Sequence, residues 1–446
     1  MPRGKMQALE KEKDPVTKSQ GKKRTLPLEK KDHPGPGTKS KRLKVSHDSH
    51  GSTKGEVLTC GQGDVGQLGL GADITERTRL AFVDIPDPVI QVCAGGMHTV
   101  CLTNTGQVYT FGCNDEGALG RETSVEGSEA KPGKVNIPAP IVMVTAGDSH
   151  TAALTDDGRV YAWGNFRDAN GSMGLTSNGI EKKPVELIQE EVVIKMASGS
   201  DHLACLTDRG ELLTLGCAEQ GQLGRIAECF ATRGGRKGLD MILSPGRVKV
   251  KRHKSRKMAQ FSDVWAGQYM TFAKDKENGD IYAWGLNNYY QLGFGDMENR
   301  FVPGRSQTFS ESGPWEMISG GQHHTVALNA KGKVYTLGRE DYGRLGLGKD
   351  CGERKVPTLV PALEGLTAIN VAAGGCVSFA VTSNGDLYSW GMGSNNQLGT
   401  GDDEDQFTPI KVTGKQLETR SVVMVSSGGQ HTVVLAATKT GNGVAH

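Results

Sequence analysis

The sequence predicts an all-β protein, a seven-bladed β-propeller closed by pairing an N-terminal strand with a C-terminal strand. Three observations support this prediction: a four-residue turn element recurs seven times, a six-residue element that enters a strand recurs seven times, and the chain starts and stops in the middle of a repeat. Two half-repeats can complete one blade together. In a closed ring this pairing leaves no unpaired strand edge at the junction, whereas an open solenoid has no such junction to close.

The turn element recurs at a mean spacing of 55 residues, close to the longer propeller periods. Its copies are GQLG (66–69), GALG (117–120), GSMG (171–174), GQLG (221–224), YQLG (290–293), GRLG (343–346) and NQLG (396–399). The first copy lies in GQGDVGQLGLG (61–71), which also has the G-x-G-x-x-G spacing of dinucleotide-binding proteins. That fingerprint needs a helix after its last glycine, and the period-2 pattern here predicts none. We therefore interpret the stretch as a repeated turn.

The strand-entry element carries a histidine in five of its seven copies. The copies are AGGMHT (94–99), AGDSHT (146–151), SGSDHL (198–203), AGQYMT (266–271), GGQHHT (320–325), AGGCVS (373–378) and SGGQHT (427–432). Between the two elements, segments such as TAALTDDGRVYAWG (151–164) predict β-hairpins. Because Met270 and Val377 replace the histidine in two copies, we interpret these histidines as anchors of blade geometry rather than as metal ligands or catalysts.

The charge is distributed unevenly along the chain. Residues 1–54 carry 15 Lys or Arg and 6 Asp or Glu, which leaves −7 for the remainder of a chain whose net charge is +2. Low apolar content predicts a disordered basic N-terminal tail (1–54), followed by the propeller (55–437) and a short C-terminal tail (438–446). Two basic clusters in the tail, Lys22, Lys23, Arg24 and then Lys39, Lys41, Arg42, Lys44, suit a bipartite nuclear localisation signal. A tail that only solubilises the protein, or that binds polyanions nonspecifically, is the alternative.

Composition argues against several other classes of protein. No apolar run approaches the roughly 20 residues needed to span a bilayer, and the N-terminus MPRGKMQALEKEK has no hydrophobic signal region. We therefore expect a soluble protein that is not secreted and has no membrane partner. The nine cysteines are odd in number and form no C-x-x-C pair, which favours reduced thiols over zinc sites or disulfides. No motif indicates a metal ion or a cofactor.

Positions that break the repeat are the candidates for function. The two residues before the histidine position vary in character from copy to copy, and they include Asp148, Asp201 and His323. Equivalent strand ends of a propeller emerge on one face, so these side chains should form a polar cluster around the central channel, suited to binding a partner. Simple solvation of the rim is the alternative.

A length irregularity marks a second candidate. In six copies the turn element starts five residues after the glycine that ends the preceding strand. In the third copy this distance is seven residues, from 164 to 171. The two extra residues lie in NFRDANG (165–171), so this hairpin should protrude. The alternative is a surface insertion that the fold tolerates and that has no function.

A basic insertion is the third candidate. Residues 225–257 hold 11 Lys or Arg and 2 Asp or Glu, although the chain after residue 54 carries a net charge of −7. The sequence therefore predicts a basic protrusion on an otherwise acidic propeller. Arginine-glycine loops suit pairing with carboxylates or phosphates. A solvated loop is the alternative, and the role of the run at 249–257 stays open.

The combination GxxHT, LT..G.VY.WG and QLG over residues 56–437 resembles the repeats of the regulator of chromosome condensation family. This resemblance implies a nuclear, chromatin-associated and monomeric propeller that acts as guanine nucleotide exchange factor for the small GTPase Ran. Such a protein works by differential binding, without covalent chemistry. A chromatin-binding adaptor without exchange activity remains the main alternative. A hydrolytic propeller enzyme is a weaker one, because no nucleophile or metal-ligand motif is present.

The resemblance also implies roles for particular residues. Contacts with Ran are implied for Asp64, Asp148, Asp201, Arg225, His323 and His431. A wedge pushed against the nucleotide site of Ran is implied for Phe166, Arg167, Asp168, Ala169, Asn170, Gly171, Ser172 and Met173. Contact with the histone acidic patch of the nucleosome is implied for Arg233 and Arg236, while the tail contacts DNA phosphates and binds a nuclear import receptor.

Overall fold

A computed structural model describes residues 53–231 and 238–439, and within them the chain is built almost entirely from short strands. The first ten are β1 (Glu56–Gln62), β2 (Glu76–Val83), β3 (Val89–Ala94), β4 (His98–Thr103), β5 (Val108–Gly112), β6 (Gly133–Val135), β7 (Ile141–Ala146), β8 (His150–Thr155), β9 (Val160–Gly164) and β10 (Phe166–Asp168). The next ten are β11 (Gly171–Gly174), β12 (Glu181–Ile188), β13 (Val193–Ser198), β14 (His202–Thr207), β15 (Leu212–Gly216), β16 (Gly246–Val248), β17 (Phe261–Gly267), β18 (Met270–Asp275), β19 (Ile281–Gly285) and β20 (Arg300–Arg305). The last ten are β21 (Trp315–Gly320), β22 (His324–Asn329), β23 (Val334–Gly338), β24 (Arg354–Leu359), β25 (Ala368–Ala373), β26 (Val377–Thr382), β27 (Leu387–Gly391), β28 (Gln406–Lys411), β29 (Arg420–Ser427) and β30 (His431–Thr438).

Twenty-eight of these strands form seven antiparallel blades of four strands each, and the other two form a separate hairpin, β10–β11. In chain order the blades are blade 1 (β3–β6), blade 2 (β7, β8, β9 and β12), blade 3 (β13–β16), blade 4 (β17–β20), blade 5 (β21–β24), blade 6 (β25–β28) and blade 7 (β29, β30, β1 and β2). Blades 4 and 5 also touch through a parallel bridge between Gly267 and Gly320. The prediction of a seven-bladed propeller is confirmed.

Blade 7 closes the ring with strands from both ends of the chain. Its two inner strands, β29 and β30, come from the C-terminal side, and its two outer strands, β1 and β2, come from the N-terminal side. Strand β1 pairs with β30 in a continuous antiparallel register from Glu56 opposite Ala436 to Gly61 opposite His431. The predicted pairing of N-terminal and C-terminal strands is therefore confirmed, and neither strand is left with an unpaired edge inside the blade.

Hydrophobic clusters fill the boundaries between neighbouring blades, including the boundary that closes the ring. Val57 belongs to the cluster shared by blades 7 and 1, whereas the next residue, Leu58, belongs to the cluster shared by blades 6 and 7. Alternate side chains of one strand thus reach opposite faces of the blade, and both faces are covered. For this reason all six residues of middle strands such as β8 are buried, although period-2 patterns usually indicate one solvated face.

The repeated histidines bind the blades to one another. Each ring is buried, and its Nε2 lies within hydrogen-bond distance of a hydroxyl oxygen in the next blade. The pairs are His98 with Thr151 (2.9 Å), His150 with Ser198 (3.0 Å), His202 with Thr271 (2.9 Å), His324 with Ser378 (2.8 Å) and His431 with Thr99 (2.8 Å). Burial lowers the pKa of His98 to about 4, so this ring is neutral at neutral pH. The interpretation of these histidines as anchors of blade geometry is confirmed.

The turn elements also connect neighbouring blades. In the second copy, Gly120 has a φ of 65°, and a Cβ atom there would lie 2.7 Å from Nε1 of Trp163. The same indole nitrogen donates a hydrogen bond of 2.8 Å to the backbone carbonyl of Ala118. The left-handed backbone and the close approach of the ring together require glycine at this position. The first copy, at 66–69, is likewise formed by turns and bends rather than by a helix, so it is not a phosphate-binding helix start.

Helices are short wherever the structure describes the chain. They are α1 (Glu228–Ala231), α2 (Leu239–Leu243), α3 (Gln307–Ser312) and α4 (Lys415–Glu418), with 3₁₀ turns at Asp341–Gly343 and Pro361–Leu363. None of the helices in the described ranges has the length and apolarity required to cross a membrane.

Candidate functional site

A cavity of about 510 Å³ opens where the inner strands of blades 2 to 5 end. The loops that follow these strands bring together side chains that are far apart in the sequence. The lining includes Asp148 of blade 2, Asp201 of blade 3, Tyr269 of blade 4 and His323 of blade 5. The predicted cluster of Asp148, Asp201 and His323 on one face is therefore present in the structure.

The irregular hairpin forms one wall of this cavity. Its strands β10 and β11 pair from Phe166 opposite Gly174 to Asp168 opposite Gly171, and Arg167, Asp168 and Ala169 line the cavity. The two ends of the predicted wedge are buried, since Phe166 is 0% and Met173 is 6% exposed. The Phe166 ring contacts the His150 ring at a centroid distance of 4.6 Å. Phe166 and Met173 thus fasten the hairpin to the propeller core, and the part open to a partner is the tip between them.

The tip is bound to the neighbouring blades by carboxylates. The backbone N–H of Arg167 donates to Oδ1 of Asp201 (2.7 Å), and the backbone N–H of Ala169 donates to Oε2 of Glu219 (3.0 Å). The Arg167 guanidinium pairs with Glu116 of the blade 1 turn. Sequence reasoning missed the partly buried Glu116 and Glu219, because nothing in their local sequence pattern distinguishes them from the other acidic residues of the loops.

Electrostatics differ between the two sides of the cavity. Burial raises the pKa of Asp201 to about 7, and the charge of Asp148 adds to the rise, although the Arg167 backbone N–H and guanidinium oppose it. Burial and the charges of Arg344 and Arg339 lower the pKa of His323 to about 4. The cavity therefore has an acidic side at blades 2 and 3, and a neutral imidazole at blade 5.

Asp201→Asn is expected to stabilise the protein at about pH 8 by about 1–2 kcal/mol and to change its stability little at about pH 4. The pKa of Asp201 is higher in the folded protein than in the unfolded chain. Its stabilising contribution is therefore complete below about pH 4 and is lost as the pH rises through about 7. Solvent near the partly exposed carboxylate keeps the effect below the full value of the shift. Urea unfolding measures the free energy of unfolding of the wild type and of Asp201→Asn at both pH values. An equal difference between the two proteins at both pH values would contradict the raised pKa of Asp201.

Aromatic and polar groups surround His323. Its Nδ1 lies 3.1 Å from Oδ1 of Asn288, and its ring contacts the Tyr289 ring edge-on at 5.0 Å. The guanidinium of Arg339 lies over the Tyr289 ring, 4.7 Å from its centroid. This part of the site is suited to apolar and polar contacts with a protein surface rather than to acid–base chemistry.

The other implied contact residues do not line the cavity. Asp64 is exposed in the loop after β1. The Arg225 guanidinium donates to the carbonyl oxygens of Thr214 (3.0 Å) on β15 and of Ser244 (3.0 Å) within the basic insertion, so it fastens the insertion to blade 3. His431 is fully buried and bonded to Thr99, so its ring is not accessible to a partner. Arg233, Arg236 and the basic clusters of the tail lie outside the described residues.

The second half of the basic insertion lies at the opposite end of the blades. Residues 250–259 form a tight hairpin that leads into the start of β17, whereas the end of β17 leads to Tyr269 in the cavity. The buried Arg252 anchors this hairpin through a salt bridge of 3.0 Å to Asp275. Lys251, Lys254, Arg256 and Lys257 are exposed around it. Because a strand of seven residues spans roughly 20 Å, these cations are on the face opposite the wedge.

Groups capable of covalent chemistry are scarce at this site. Burial raises the pKa of Cys217, which lines the cavity, to about 12, so the thiol is protonated at neutral pH. All nine cysteines are free. Within residues 53–231 and 238–439, no cluster of three or more His, Cys, Asp or Glu side chains is arranged to hold a metal ion. The arrangement is suited to binding a macromolecular surface.

Comparison with known proteins agrees with this architecture. Residues 56–434 match the RCC1-like domain. The chain is 55% identical over 403 residues to the regulator of chromosome condensation of Homo sapiens, covering 90% of this chain and 95% of that protein. It is 28% identical to the guanine nucleotide exchange factor SRM1 of Saccharomyces cerevisiae, covering 85% of this chain and 86% of the relative.

Solved structures match over most of the chain as well. The crystal structure of Prp20p from Saccharomyces cerevisiae, described with its binding properties to Gsp1p and histones, superimposes with a TM-score of 0.78 at 27% identity, covering 87% of this chain and 93% of that chain. Yeast RCC1 (Prp20) in complex with Kap60 gives a TM-score of 0.79 at 26% identity, covering 93% of this chain and 97% of that chain. The protein therefore belongs to the RCC1-like family, the family of the regulators of chromosome condensation.

Proposed function

We propose that this protein is a guanine nucleotide exchange factor for the small GTPase Ran. The observation that carries the proposal is the 55% identity to a regulator of chromosome condensation across nearly the full length of both chains. A relative named as a guanine nucleotide exchange factor and a relative described with its binding to Gsp1p support the same activity. The cavity fits it, because an acidic wall and a protruding hairpin stand together on one face.

The proposed mechanism needs no covalent step. A GTPase holds its nucleotide through backbone amides, a lysine and Mg²⁺, so spontaneous release is slow. An exchange factor binds the nucleotide-free form more tightly than the nucleotide-bound form, and by linkage the nucleotide weakens the factor to the same extent. A 10⁵-fold faster release needs about 7 kcal/mol of differential binding. The reaction runs in both directions, so the nuclear excess of GTP sets its direction.

In this proposal the face divides into contact residues and supporting residues. Asp148, Asp201, His323 and the exposed Asp64 contact basic and polar groups of Ran, and the hairpin tip enters its nucleotide site. Arg225 and His431 support the face from within, the first by fastening the basic insertion and the second by joining blade 7 to blade 1.

Release of fluorescent GDP from purified Ran tests the proposal directly. We expect the wild-type protein at catalytic concentration to accelerate release by several orders of magnitude. Equal release with and without the protein would reject exchange activity and favour the alternative, a chromatin-binding propeller adaptor.

The same proposal places the protein on chromatin in the nucleus. The description of Prp20p with histones, and the structure of yeast RCC1 (Prp20) bound to Kap60, support a nucleosome partner and a nuclear import receptor. We assign Arg233 and Arg236 to the histone acidic patch, the tail to DNA phosphates and its two basic clusters to the import receptor. The basic hairpin at 250–259 faces away from the wedge, so chromatin and Ran can approach from opposite sides.

Neutralising Lys251, Lys254, Arg256 and Lys257 with alanine is expected to weaken DNA binding at low salt and to reduce its salt dependence. Each phosphate contact contributes roughly 0.9 to the slope of log affinity against log salt, so the magnitude of the slope should fall by about 3.6 if all four side chains contact phosphates. Fluorescence anisotropy with a random-sequence duplex over a KCl series measures it. Alanine at four exposed lysines elsewhere, Lys131, Lys134, Lys182 and Lys183, is the matched control. An unchanged slope in the first variant would remove this hairpin from the DNA interface.

A further inference from the structure

The wedge tip is connected to both neighbouring blades by a continuous chain of polar contacts. On the blade 1 side, Glu116 accepts a hydrogen bond of 3.0 Å from Nδ2 of Asn165 through one carboxylate oxygen and pairs with Arg167 through the other. On the blade 3 side, Asp201 and Glu219 accept the backbone N–H groups of Arg167 and Ala169. The tip is therefore held from two directions by three carboxylates.

Asn165 transmits the blade 1 contact to the base of the hairpin. Its side chain is fully buried, and its Oδ1 accepts the backbone N–H of Gly174 (2.8 Å) and the hydroxyl of Ser172 (3.1 Å). The amide thus joins the second strand of the hairpin to Glu116. Moving the Glu116 carboxylate would release Arg167 on the first strand and Asn165 beneath the second.

We propose that Glu116 and Glu219 are positioning residues that hold the wedge tip in one preset orientation, and that Arg167 serves the partner indirectly, by its pairing with Glu116. This inference rests on the proposed exchange function. A hairpin of two strands as short as β10 and β11 is at best marginally ordered by itself. Fixing it before the partner arrives removes the ordering cost from the step in which the tip displaces the nucleotide.

The exchange reaction distinguishes positioning from binding. Glu116→Ala and Glu219→Ala are each expected to lower kcat for GDP release on the order of tenfold while KM stays within about twofold, because a misplaced tip loses contacts formed late in the reaction. Glu122→Ala is the matched control, since Glu122 pairs with Lys183 in an exposed ion pair that does not touch the wedge. A rise in KM at constant kcat would overturn the proposal in favour of direct contact with the partner.

A double-mutant cycle tests the indirect role of Arg167. If Arg167 acts only through Glu116, the Glu116→Ala and Arg167→Ala double variant should lose no more than Glu116→Ala alone. Effects that multiply in the double variant would show that Arg167 contacts the partner independently, and that part of the proposal would fail.

Hydrogen exchange on the free protein separates this inference from the function on which it rests. Glu219→Ala should speed deuterium uptake of the peptide covering 165–175 on the order of tenfold and leave the other blades unchanged, whereas Glu122→Ala should not. Unchanged uptake would refute preset positioning whatever the exchange activity. Faster uptake in a protein that releases no GDP from Ran would instead retain the positioning of the tip and reject the proposed function.

Discussion

Asp201→Ala is expected to lower kcat/KM for nucleotide release from Ran on the order of 100-fold. The substitution removes a carboxylate from the acidic wall of the cavity, and it also removes the acceptor of the Arg167 backbone N–H. Truncating one member of a hydrogen-bonded, largely desolvated pair typically costs 2–5 kcal/mol in an interface, and the lower part of that range corresponds to this loss. The measurement is the rate of fluorescent GDP release over a series of Ran concentrations.

Asp201→Asn is the informative companion to this variant. An asparagine Oδ1 can still accept the Arg167 N–H, but the charge is gone, so we expect a loss intermediate between the wild type and Asp201→Ala. Equal losses in the two variants would mean that charge alone matters and that the wedge does not depend on Asp201. An effect of Asp201→Ala below about threefold would remove Asp201 from the functional site.

Leu58→Ala is expected to destabilise the propeller by about 2–5 kcal/mol, as large-to-small changes in a packed core do. Leu58 is fully buried on β1, directly opposite Val434 of β30, in the cluster that blades 6 and 7 share. A cavity at this point weakens the seam that closes the ring and exposes no other blade boundary. A urea unfolding curve measures the shift in midpoint.

Val125→Ala is the control for the closure, because Val125 is 72% exposed and its truncation should change stability by less than about 0.5 kcal/mol. A similarly small effect for Leu58→Ala would contradict the importance of the closing strand. It would mean that the other six blades support the ring without the seam.

The candidate site was predictable from the sequence only in part. The differences between repeats pointed to Asp148, Asp201 and His323, and the length of one loop pointed to the hairpin. Glu116 and Glu219 could not be found in this way, since they lie 51 and 50 residues from the tip residues they bind. The burial of Phe166 and Met173 was also missed, because an insertion in a loop gives no indication of which of its residues return to the core.

The number of blades, the closing strand pair and the anchoring histidines could all be read from the amino-acid sequence, because each depends on a period or a local pattern that recurs along the chain. The contacts between polar groups of different blades, in contrast, follow only from the folded arrangement. Loops from blades 1, 2 and 3 converge at the wedge, and only their convergence raises the pKa of Asp201, buries Asn165 and aims carboxylates at the backbone of the hairpin tip. Such contacts depend on distances between separate blades, which no local pattern encodes.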